Sequence, residues 1–282
     1  MKTWMDGTWT ENATVPLVAH ALHYGSGVFE GIRSYATSRG PELFKLREHL
    51  DRFGRGAKVL GIEFDRDALD AACRDVVRVN EFGDAYVRPI AFHGEGSLGL
   101  DVGKQAVHVA VVALKWDSHL GCEAAEHGVR CTVAGRRRNP AEAIPPLKLT
   151  GGYVNAILAK REAAKAGFQE AIFVDENDHV VEATGENVFA VIDGGLIAVA
   201  HPDALPGITR SVVIELGDAK VRRVRRAELL AADEVFLTGT SAEVTPVSQI
   251  DERRFEAGPV TRRLQRLYGS VVRGQTASVG GR

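Results

Sequence analysis

Lys148 lies in the part of this chain whose residue types are best suited to covalent chemistry. It follows segment 144–147, which contains two prolines, and precedes segment 150–153, which contains two glycines and a tyrosine. A lysine in such a tight and largely apolar stretch is a candidate for a lowered pKa and for nucleophilic attack on a carbonyl compound. A solvated loop lysine is the other interpretation, and this segment by itself leaves both open.

Two further segments have the form of ligand-binding turns. Segment 205–210, with the sequence LPGITR, places a Pro-Gly turn before a helix, and the first N–H groups of a helix attract anions. Segment 238–243, with the sequence TGTSAE, follows the apolar strand 235–237, and its small residues let a ligand approach the backbone closely. An ordinary helix cap and a plain turn are the alternative interpretations.

The hydrophobic periodicity predicts a chain in which strands and helices are mixed. In the first half the expected strands are 12–18, 27–35, 43–45, 85–92 and 106–114, and the expected helices are 47–61 and 67–80. In the second half the expected strands are 129–134, 170–174, 179–183, 187–192, 196–199 and 233–237, and the expected helices are 151–166 and 208–216. This order does not alternate as the elements of a parallel doubly wound sheet do.

The length of 282 residues corresponds to about two domains of about 150 residues each. A polar and charged break predicts an interdomain linker at 116–128. It separates a small N-terminal domain, 1–115, from a C-terminal domain, 129–282, which by this division carries Lys148.

The composition argues against several functional classes. The chain has 35 Lys and Arg and 37 Asp and Glu, a net charge of −2, without the basic surplus of a nucleic-acid-binding protein. No apolar run approaches the roughly 18–20 residues that span a bilayer, and the N-terminus lacks the apolar core of a signal peptide. Three cysteines without a CxxC pair and nine histidines without an HxxxH spacing predict a reduced, cytoplasmic protein with no metal site.

Three other patterns favour ordinary structural roles. Residues 94–99 match GxGxxG, but a strand rather than a helix follows them, so a loop is expected instead of a dinucleotide site. The basic run 136–138 is interpreted as a solvated strand edge. His20 and His23 are expected to make structural hydrogen bonds.

Considered together, the segments resemble the class IV aminotransferases, the pyridoxal-phosphate enzymes of fold type IV, and within them the bacterial branched-chain amino acid aminotransferases. The resemblance extends from about Trp4 to about Leu267 and rests on the joint occurrence of several blocks in the family's order. These blocks are HALHYG at 20–25, VFEGIR at 28–33, YVRP at 86–89, KLTGGYVN at 148–155, EATGENVF at 182–189, LPGITR at 205–210 and ADEVFLTGT at 232–240.

The resemblance implies an α+β (mixed α/β) protein with two domains, a small N-terminal α/β domain and a larger C-terminal β-barrel-like domain with helices. It implies pyridoxal 5′-phosphate as cofactor, bound covalently by Lys148, which then moves the proton at the substrate Cα. By the same resemblance Glu182 lies at the pyridine nitrogen, Tyr153 at the ring oxygen and Arg52 at the phosphate. The other implied cofactor-binding residues are Gly185, Asn187, Leu205, Gly207, Ile208, Thr209 and Thr240.

For the substrate, the resemblance implies an apolar pocket beside a carboxylate site. The implied substrate-binding residues are Tyr24, Phe29, Gly31 and Trp116 in the pocket, Thr240, Ser241 and Ala242 at the α-carboxylate, and Tyr86 and Arg88 at the carboxylates of glutamate. Loop 94–100, with Leu98 and Leu100, is expected to reach the neighbouring site of a homodimer or higher even oligomer. The implied partners are amino acids and 2-oxo acids, with neither nucleic acid nor membrane.

The reaction implied is the transfer of the amino group of leucine, isoleucine or valine to 2-oxoglutarate. Alternatives within the class are a D-amino acid or (R)-amine transaminase and an aminodeoxychorismate lyase; outside it, a non-catalytic binding protein or a nicotinamide-dependent oxidoreductase. Two departures from the family pattern concern specificity. His119 stands where an aromatic residue is usual, and the segment 199–205 is shorter than in relatives.

Overall fold

The computed structural model describes residues 1–116 and 121–275, and the chain divides into two compact units. The first unit comprises Met1–Asp117 together with Leu147–Tyr153, and the second comprises Ser118–Pro146 and Val154–Arg282. Lys148, which the sequence-based division placed in the C-terminal domain, therefore belongs to the first unit. Part of the predicted linker 116–128 and all of His119 lie outside the described residues.

The first unit contains one antiparallel sheet and the helices that cover it. Its described strands are β1 (Thr3–Met5), β2 (Thr8–Thr10), β3 (Gly27–Phe29), β4 (Ile32–Thr37), β5 (Gly40–Leu43), β6 (Ala85–His93) and β7 (Val107–Lys115). Its described helices are α1 (His20–Tyr24), α2 (Leu46–Val59) and α3 (Arg66–Val79). The strand order is β2-β1-β7-β6-β4-β5, with β3 also paired to β6.

The two longer helices of this unit follow from their apolar spacing. On α2, Leu50, Phe53 and Ala57 are buried three or four residues apart, so one face of the helix packs into the core. The helix α3 begins at a side-chain cap, because Asp65 accepts hydrogen bonds from two backbone N–H groups of its first turn.

The segment that carries Lys148 is fixed to β3 by backbone contacts. The N–H of Phe29 donates to the carbonyl of Lys148 at 3.0 Å, and Val28 forms a β-bridge with Leu149. The hydroxyl of Thr150 donates to the carbonyl of Gly25 at 2.5 Å. These contacts explain why a segment far along the chain belongs to the first unit.

The second unit contains a larger mixed sheet. Its described strands are β8 (Val129–Val133), β9 (Glu170–Val174), β10 (Val180–Ala183), β11 (Asn187–Ile192), β12 (Gly195–Val199), β13 (Lys220–Arg222), β14 (Glu234–Gly239), β15 (Glu243–Ile250) and β16 (Arg253–Arg254). Its described helices are α4 (Gly121–His127), α5 (Val154–Lys165), α6 (Ile208–Gly217), α7 (Arg226–Ala231) and α8 (Pro259–Val272).

The strand order of this sheet is β10-β9-β8-β15-β14-β11-β12-β13, with β16 added to β15. The strand β8 is parallel to both β9 and β15, and most other neighbours are antiparallel. The core includes Phe189 and Phe236, which stack with ring centroids 5.0 Å apart.

The structure confirms the predicted helices 47–61 and 67–80, the four strands predicted between residues 170 and 199, which pair as two hairpins, and the helix after Gly207. The predicted strand 12–18 is wrong: this stretch has no regular structure, and Val15, Leu17 and Val18 are exposed. The predicted helix 151–166 begins as a 3-10 turn at Thr150–Tyr153 and becomes α-helical at Val154. The GxGxxG stretch is a loop between β6 and β7, as expected.

Within the described part of the chain, none of the helices combines the length and apolar character needed to cross a membrane.

Candidate active site

The amine of Lys148 lies against two aromatic rings of the first unit. Its Nζ donates a hydrogen bond to the hydroxyl of Tyr153 at 3.0 Å and lies 5.3 Å from the ring centroid of Phe29. The rings of Phe29 and Tyr153 are 4.9 Å apart. The surroundings of Lys148 are thus tight and largely apolar. Its Nζ is held between the hydroxyl of Tyr153 and the ring of Phe29.

The pKa of Lys148 does not follow the expectation from its sequence surroundings. Burial acts to lower it, but the negative potential of Tyr153, Glu30 and Tyr86 outweighs burial and raises the pKa of Lys148 above its usual value. The lowered pKa that the sequence surroundings suggested for Lys148 is therefore wrong, because the neighbouring groups of the protein raise this pKa. One cause is Glu30, a buried carboxylate distant in sequence.

A second group of the first unit is suited to bind a carboxylate. Arg88 donates from Nη2 to the hydroxyl of Tyr86 at 3.0 Å, and its guanidinium lies 4.6 Å from the ring centroid of Phe29. Trp116 stacks on Tyr86 at 4.7 Å. The Nε of Arg88 is buried and has no hydrogen-bond partner among the described residues, which indicates a site for an acceptor.

Gly31 is required by this arrangement. A Cβ on Gly31 would lie 1.8 Å from the hydroxyl oxygen of Tyr86. Any side chain at this position would displace the tyrosine and the arginine bound to it. The structure therefore brings together Phe29, Gly31, Tyr86, Arg88 and Trp116, five of the residues that the resemblance assigned to the substrate.

Tyr24, Leu98 and Leu100 form a different group, at the surface of the first unit. The hydroxyl of Tyr24 donates to the carbonyl of Leu98 at 2.9 Å. His20 holds the same loop through the carbonyl of Gly99, at 3.0 Å, and contacts Ser26 at 2.6 Å, which confirms its structural hydrogen bonding. Leu100 is 80% exposed, so the loop presents apolar surface to its surroundings.

In the second unit, the carboxylate of Glu182 is buried among donors. Its Oε1 accepts from Nε of Arg138 at 2.7 Å, and its Oε2 accepts from the N–H of Leu205 at 2.9 Å. The side chain of Arg138 is 12% exposed, so the interpretation of residues 136–138 as a solvated edge is wrong for this residue. Apart from the basic run itself, no pattern in the sequence indicates this pairing.

The helix α6 of this unit begins with N–H groups that no side chain caps. Its N-cap is Gly207, and among the described residues no side chain donates to or accepts from the first turn as a cap; this turn contains Ile208 and the buried Thr209. A Cβ on Gly207 would lie 2.0 Å from Oδ1 of Asn187, whose amide donates to the carbonyl of Leu205 at 2.9 Å. An uncapped helix start of this kind fits an anion.

The turn 240–242 connects β14 and β15, and α6 packs against β14. The hydroxyl of Thr238, on β14, is buried and has no hydrogen-bond partner among the described residues. Gly185 lies in an exposed bend between Glu182 and Asn187. The structure thus gathers the second group of predicted residues around the β10–β11 turn and the start of α6, which are joined by the hydrogen bonds of Glu182 and Asn187 to the backbone of Leu205. These residues are Glu182, Gly185, Asn187, Leu205, Gly207, Ile208 and Thr209.

Two buried carboxyls lie close to the strand that carries Glu182: Glu170 begins β9, and Glu186 lies in the bend between β10 and β11. Glu170 accepts hydrogen bonds from the hydroxyl of Thr184 at 2.5 Å and the N–H of Ala171 at 2.7 Å, and it pairs with Lys160. Burial and the charge of Glu170 raise the pKa of Glu186 to about 8. Glu186 therefore keeps its proton in the folded protein at neutral pH.

Replacing Glu186 with glutamine is expected to remove a pH dependence of stability. The folded protein holds the Glu186 proton up to about pH 8, whereas an unfolded chain releases it near pH 4.5. Between these values the folded state binds more protons, so the free energy of unfolding decreases as the pH rises. Thermal unfolding measured from pH 5 to 9 should show a smaller decrease for Glu186→Gln, whereas the exposed Glu215→Gln should follow the wild type. If the stability of all three proteins changed with pH in the same way, the raised pKa assigned to Glu186 would be contradicted.

Comparison with known proteins identifies a family that matches most of the chain. The family description Amino-transferase class IV matches residues 27–250. The chain is 38% identical over 288 residues to a branched-chain-amino-acid aminotransferase of Escherichia coli (strain K12), covering 97% of this chain and 93% of that relative.

The fold has solved counterparts. A crystal structure of the T.th. branched-chain amino acid aminotransferase with pyridoxamine 5′-phosphate is 43% identical, with a TM-score of 0.94, and the match covers 98% of this chain and 95% of that one. Further crystal structures of that protein, each at 42% identity and a TM-score of 0.92, contain N-(5′-phosphopyridoxyl)-L-glutamate or 4-methylvaleric acid.

The chain belongs to the class IV aminotransferases. The resemblance and the fold class predicted from the sequence are both confirmed.

Proposed function

We propose that this protein is a pyridoxal-phosphate-dependent aminotransferase that transfers the amino group of L-branched-chain amino acids to 2-oxoglutarate. The observation that carries the proposal is the amine of Lys148, held by the hydroxyl of Tyr153 at 3.0 Å and walled by Phe29. The relatives named above are called branched-chain amino acid aminotransferases, and one of their structures contains pyridoxamine 5′-phosphate, which supports the proposed reaction and cofactor.

The residues present fit the cofactor. The uncapped start of α6 offers N–H groups of Ile208 and Thr209 to a phosphate, and hydroxyls of Thr209 and Thr240 extend this donor set. The buried, unpartnered hydroxyl of Thr238 indicates a ligand in the same unit. Arg52 supplies the cation for the phosphate, and Gly185, Asn187, Leu205 and Gly207 shape the loops.

Pyridoxal phosphate, when bound, supplies a ring that withdraws electrons from the substrate Cα. Lys148 removes and returns the proton at that carbon, and the Tyr153 hydroxyl orients its amine. The carboxylate of Glu182, held by Arg138, favours a protonated ring nitrogen. Each of these residues thus holds or moves a charge or a proton at one particular atom.

The substrate residues explain how one site takes an aliphatic and an acidic side chain. Phe29 and Trp116 supply apolar surface, and Arg88 with Tyr86 supplies donors for the second carboxylate of glutamate. The N–H groups of the turn 240–242 bind the α-carboxylate. The two T.th. complexes, one with a glutamate derivative and one with a branched aliphatic acid, support this dual use.

The test of the proposal is the visible spectrum of the purified protein with pyridoxal phosphate. A yellow protein should lose its colour with L-leucine and regain it with 2-oxoglutarate, because the two half-reactions carry the amino group onto and off the cofactor. A yellow protein that responds only to D-amino acids or amines would contradict the substrate assignment. A protein that stays colourless would contradict the enzyme assignment.

We also propose that the protein forms a homodimer through the surface around loop 94–100. Tyr24 anchors this loop, and Leu17, Leu22, Leu98 and Leu100 are exposed on the same unit. Exposed apolar residues in such number are typical of an interaction surface.

Sedimentation of the wild type should give twice the chain mass or a higher even multiple of it. The double variant Leu98→Glu, Leu100→Glu should sediment as a monomer, because it buries two charges in the proposed interface. Val221→Glu, which places a charge at an exposed position of the second unit, should remain dimeric. A double variant that remains dimeric would contradict this surface.

The reaction is proposed to take place in the cytoplasm. Cys73 and Cys131 are free and buried, as in proteins of a reducing compartment. Burial also raises the pKa of the Cys73 thiol, so this group is unreactive.

A further inference from the structure

A buried carboxylate, Glu30, holds the arginine that the proposed function assigns to the cofactor phosphate. Glu30 follows β3, and Arg52 lies on α2. The Nε of Arg52 donates to Oε1 of Glu30 at 2.6 Å, and its Nη2 donates to Oε2 at 2.9 Å. Two parallel contacts of this kind fix both the position and the plane of a guanidinium.

His49 completes the group. Its Nδ1 lies 2.8 Å from Oε2 of Glu30, and an ionised carboxylate can only accept, so Nδ1 is the donor. The N–H of Gly31 donates to the same oxygen at 3.2 Å. Glu30 is fully buried, and the side chains of His49 and Arg52 are 2% and 3% exposed, so water does not replace these contacts.

The electrostatics of the group agree with its geometry. Burial acts to raise the pKa of Glu30, but His49 and Arg52 hold it well below its usual range. Burial lowers the pKa of His49, which favours the neutral ring that donates from Nδ1. A buried pair of this kind is costly to form and is weak evidence for stability alone, so a role beyond stability has to be sought.

The group lies next to the reactive lysine. Glu30 and Arg52 both influence the pKa of Lys148, and Phe29, the neighbour of Glu30 in the chain, donates its N–H to the Lys148 carbonyl. A displacement of Glu30 would therefore move both the arginine and the wall beside the amine.

We propose that Glu30 and His49 are positioning residues: Glu30 orients the Arg52 guanidinium toward the phosphate of the cofactor, and His49 fixes Glu30. The proposal rests on the proposed function, in which Arg52 binds that phosphate. It makes a prediction opposite to that of simple electrostatics. A negative charge near a phosphate repels it, so its removal would strengthen phosphate binding if orientation were unimportant.

The experiment compares pyridoxal phosphate with pyridoxal, which lacks the phosphate. Both aldehydes react with the same lysine, so the ratio of their affinities isolates the phosphate contribution. Cofactor-free protein is titrated with each aldehyde, and the visible absorption band is followed. Glu30→Gln also changes the charge and the wall beside the lysine, which affects both aldehydes alike, so the expected result is a fall of about tenfold or more in the affinity for pyridoxal phosphate relative to that for pyridoxal.

Two further variants keep the test decisive if Glu30→Gln fails to fold. His49→Phe retains the Glu30–Arg52 pair but removes one donor, and it should show a smaller fall in the same affinity ratio. His49→Gln retains an N–H donor and should restore most of the affinity. The matched control is Glu48→Gln, which removes an exposed carboxylate from the same helix and should bind both aldehydes as the wild type does.

Equal losses for both aldehydes would overturn the proposal, because they would indicate a purely structural role. Unchanged or stronger binding of pyridoxal phosphate in Glu30→Gln would also overturn it. A wild type that turns over L-leucine but does not prefer the phosphorylated aldehyde would refute the phosphate role of Arg52 while leaving the proposed reaction intact.

Discussion

Replacing Lys148 with alanine is expected to lower the rate of transamination by about four orders of magnitude. The amine is placed by the Tyr153 hydroxyl at 3.0 Å and by the backbone contact of its own segment with Phe29. Alanine has no group that could take the proton from the substrate carbon at this position. The variant should still fold, because a partly buried lysine contributes little to the core.

The measurement is the single-turnover reaction of cofactor-loaded enzyme with L-leucine. Lys165→Ala, which removes an exposed lysine at the end of α5, should retain wild-type activity. Reduction with borohydride followed by peptide mapping should mark the peptide that contains Lys148 in the wild type. A Lys148→Ala variant that retains a tenth of the activity would disprove the assignment of proton transfer to this residue.

Replacing Glu182 with glutamine is expected to slow the half-reaction with L-leucine by about 10²–10³-fold. Its carboxylate is held by Arg138 at 2.7 Å and by the N–H of Leu205 at 2.9 Å. A neutral amide would not favour a protonated ring nitrogen, so electrons from the substrate carbon would be accepted less readily. The affinity for the cofactor should change much less than the rate.

The rate of bleaching of the yellow band on mixing with L-leucine reports this step. Glu176→Gln, which removes an exposed carboxylate of the same unit, serves as the control and should bleach at the wild-type rate. If Glu182→Gln bleached within about twofold of the wild type, the ring nitrogen would have to be protonated by another group.

Local elements were predictable because their causes are local. The apolar spacing on α2 and α3 and the Pro-Gly pair before α6 are formed by residues within a few positions of one another. The failure at 12–18 has the same origin. Apolar residues there suggested a strand, but Leu17 is 83% exposed, so local composition did not reveal that this stretch lies outside the core of this unit.

Most residues of the two site groups could be named from the sequence, since each lies in a short block of the family's pattern. Glu30 and His49 were missed although Glu30 lies inside the block 28–33, because nothing in that block shows which arginine it binds. Arg138 was missed because a run of three arginines also occurs on solvated edges. A carboxylate–arginine pair in which the two residues lie far apart in the sequence leaves no periodic signal.

The sequence by itself determined the family, the choice of Lys148 as the candidate reactive residue, and the principal helices and strands of the fold. The tertiary structure decided which unit carries Lys148, since the pairing of Leu149 with Val28 joins segments that are distant in the chain. The tertiary structure also decided the pKa of the Lys148 amine. The pKa of Lys148 depends on Glu30 and Tyr86, and electrostatic interactions act through distance in space, which the order of residues does not specify.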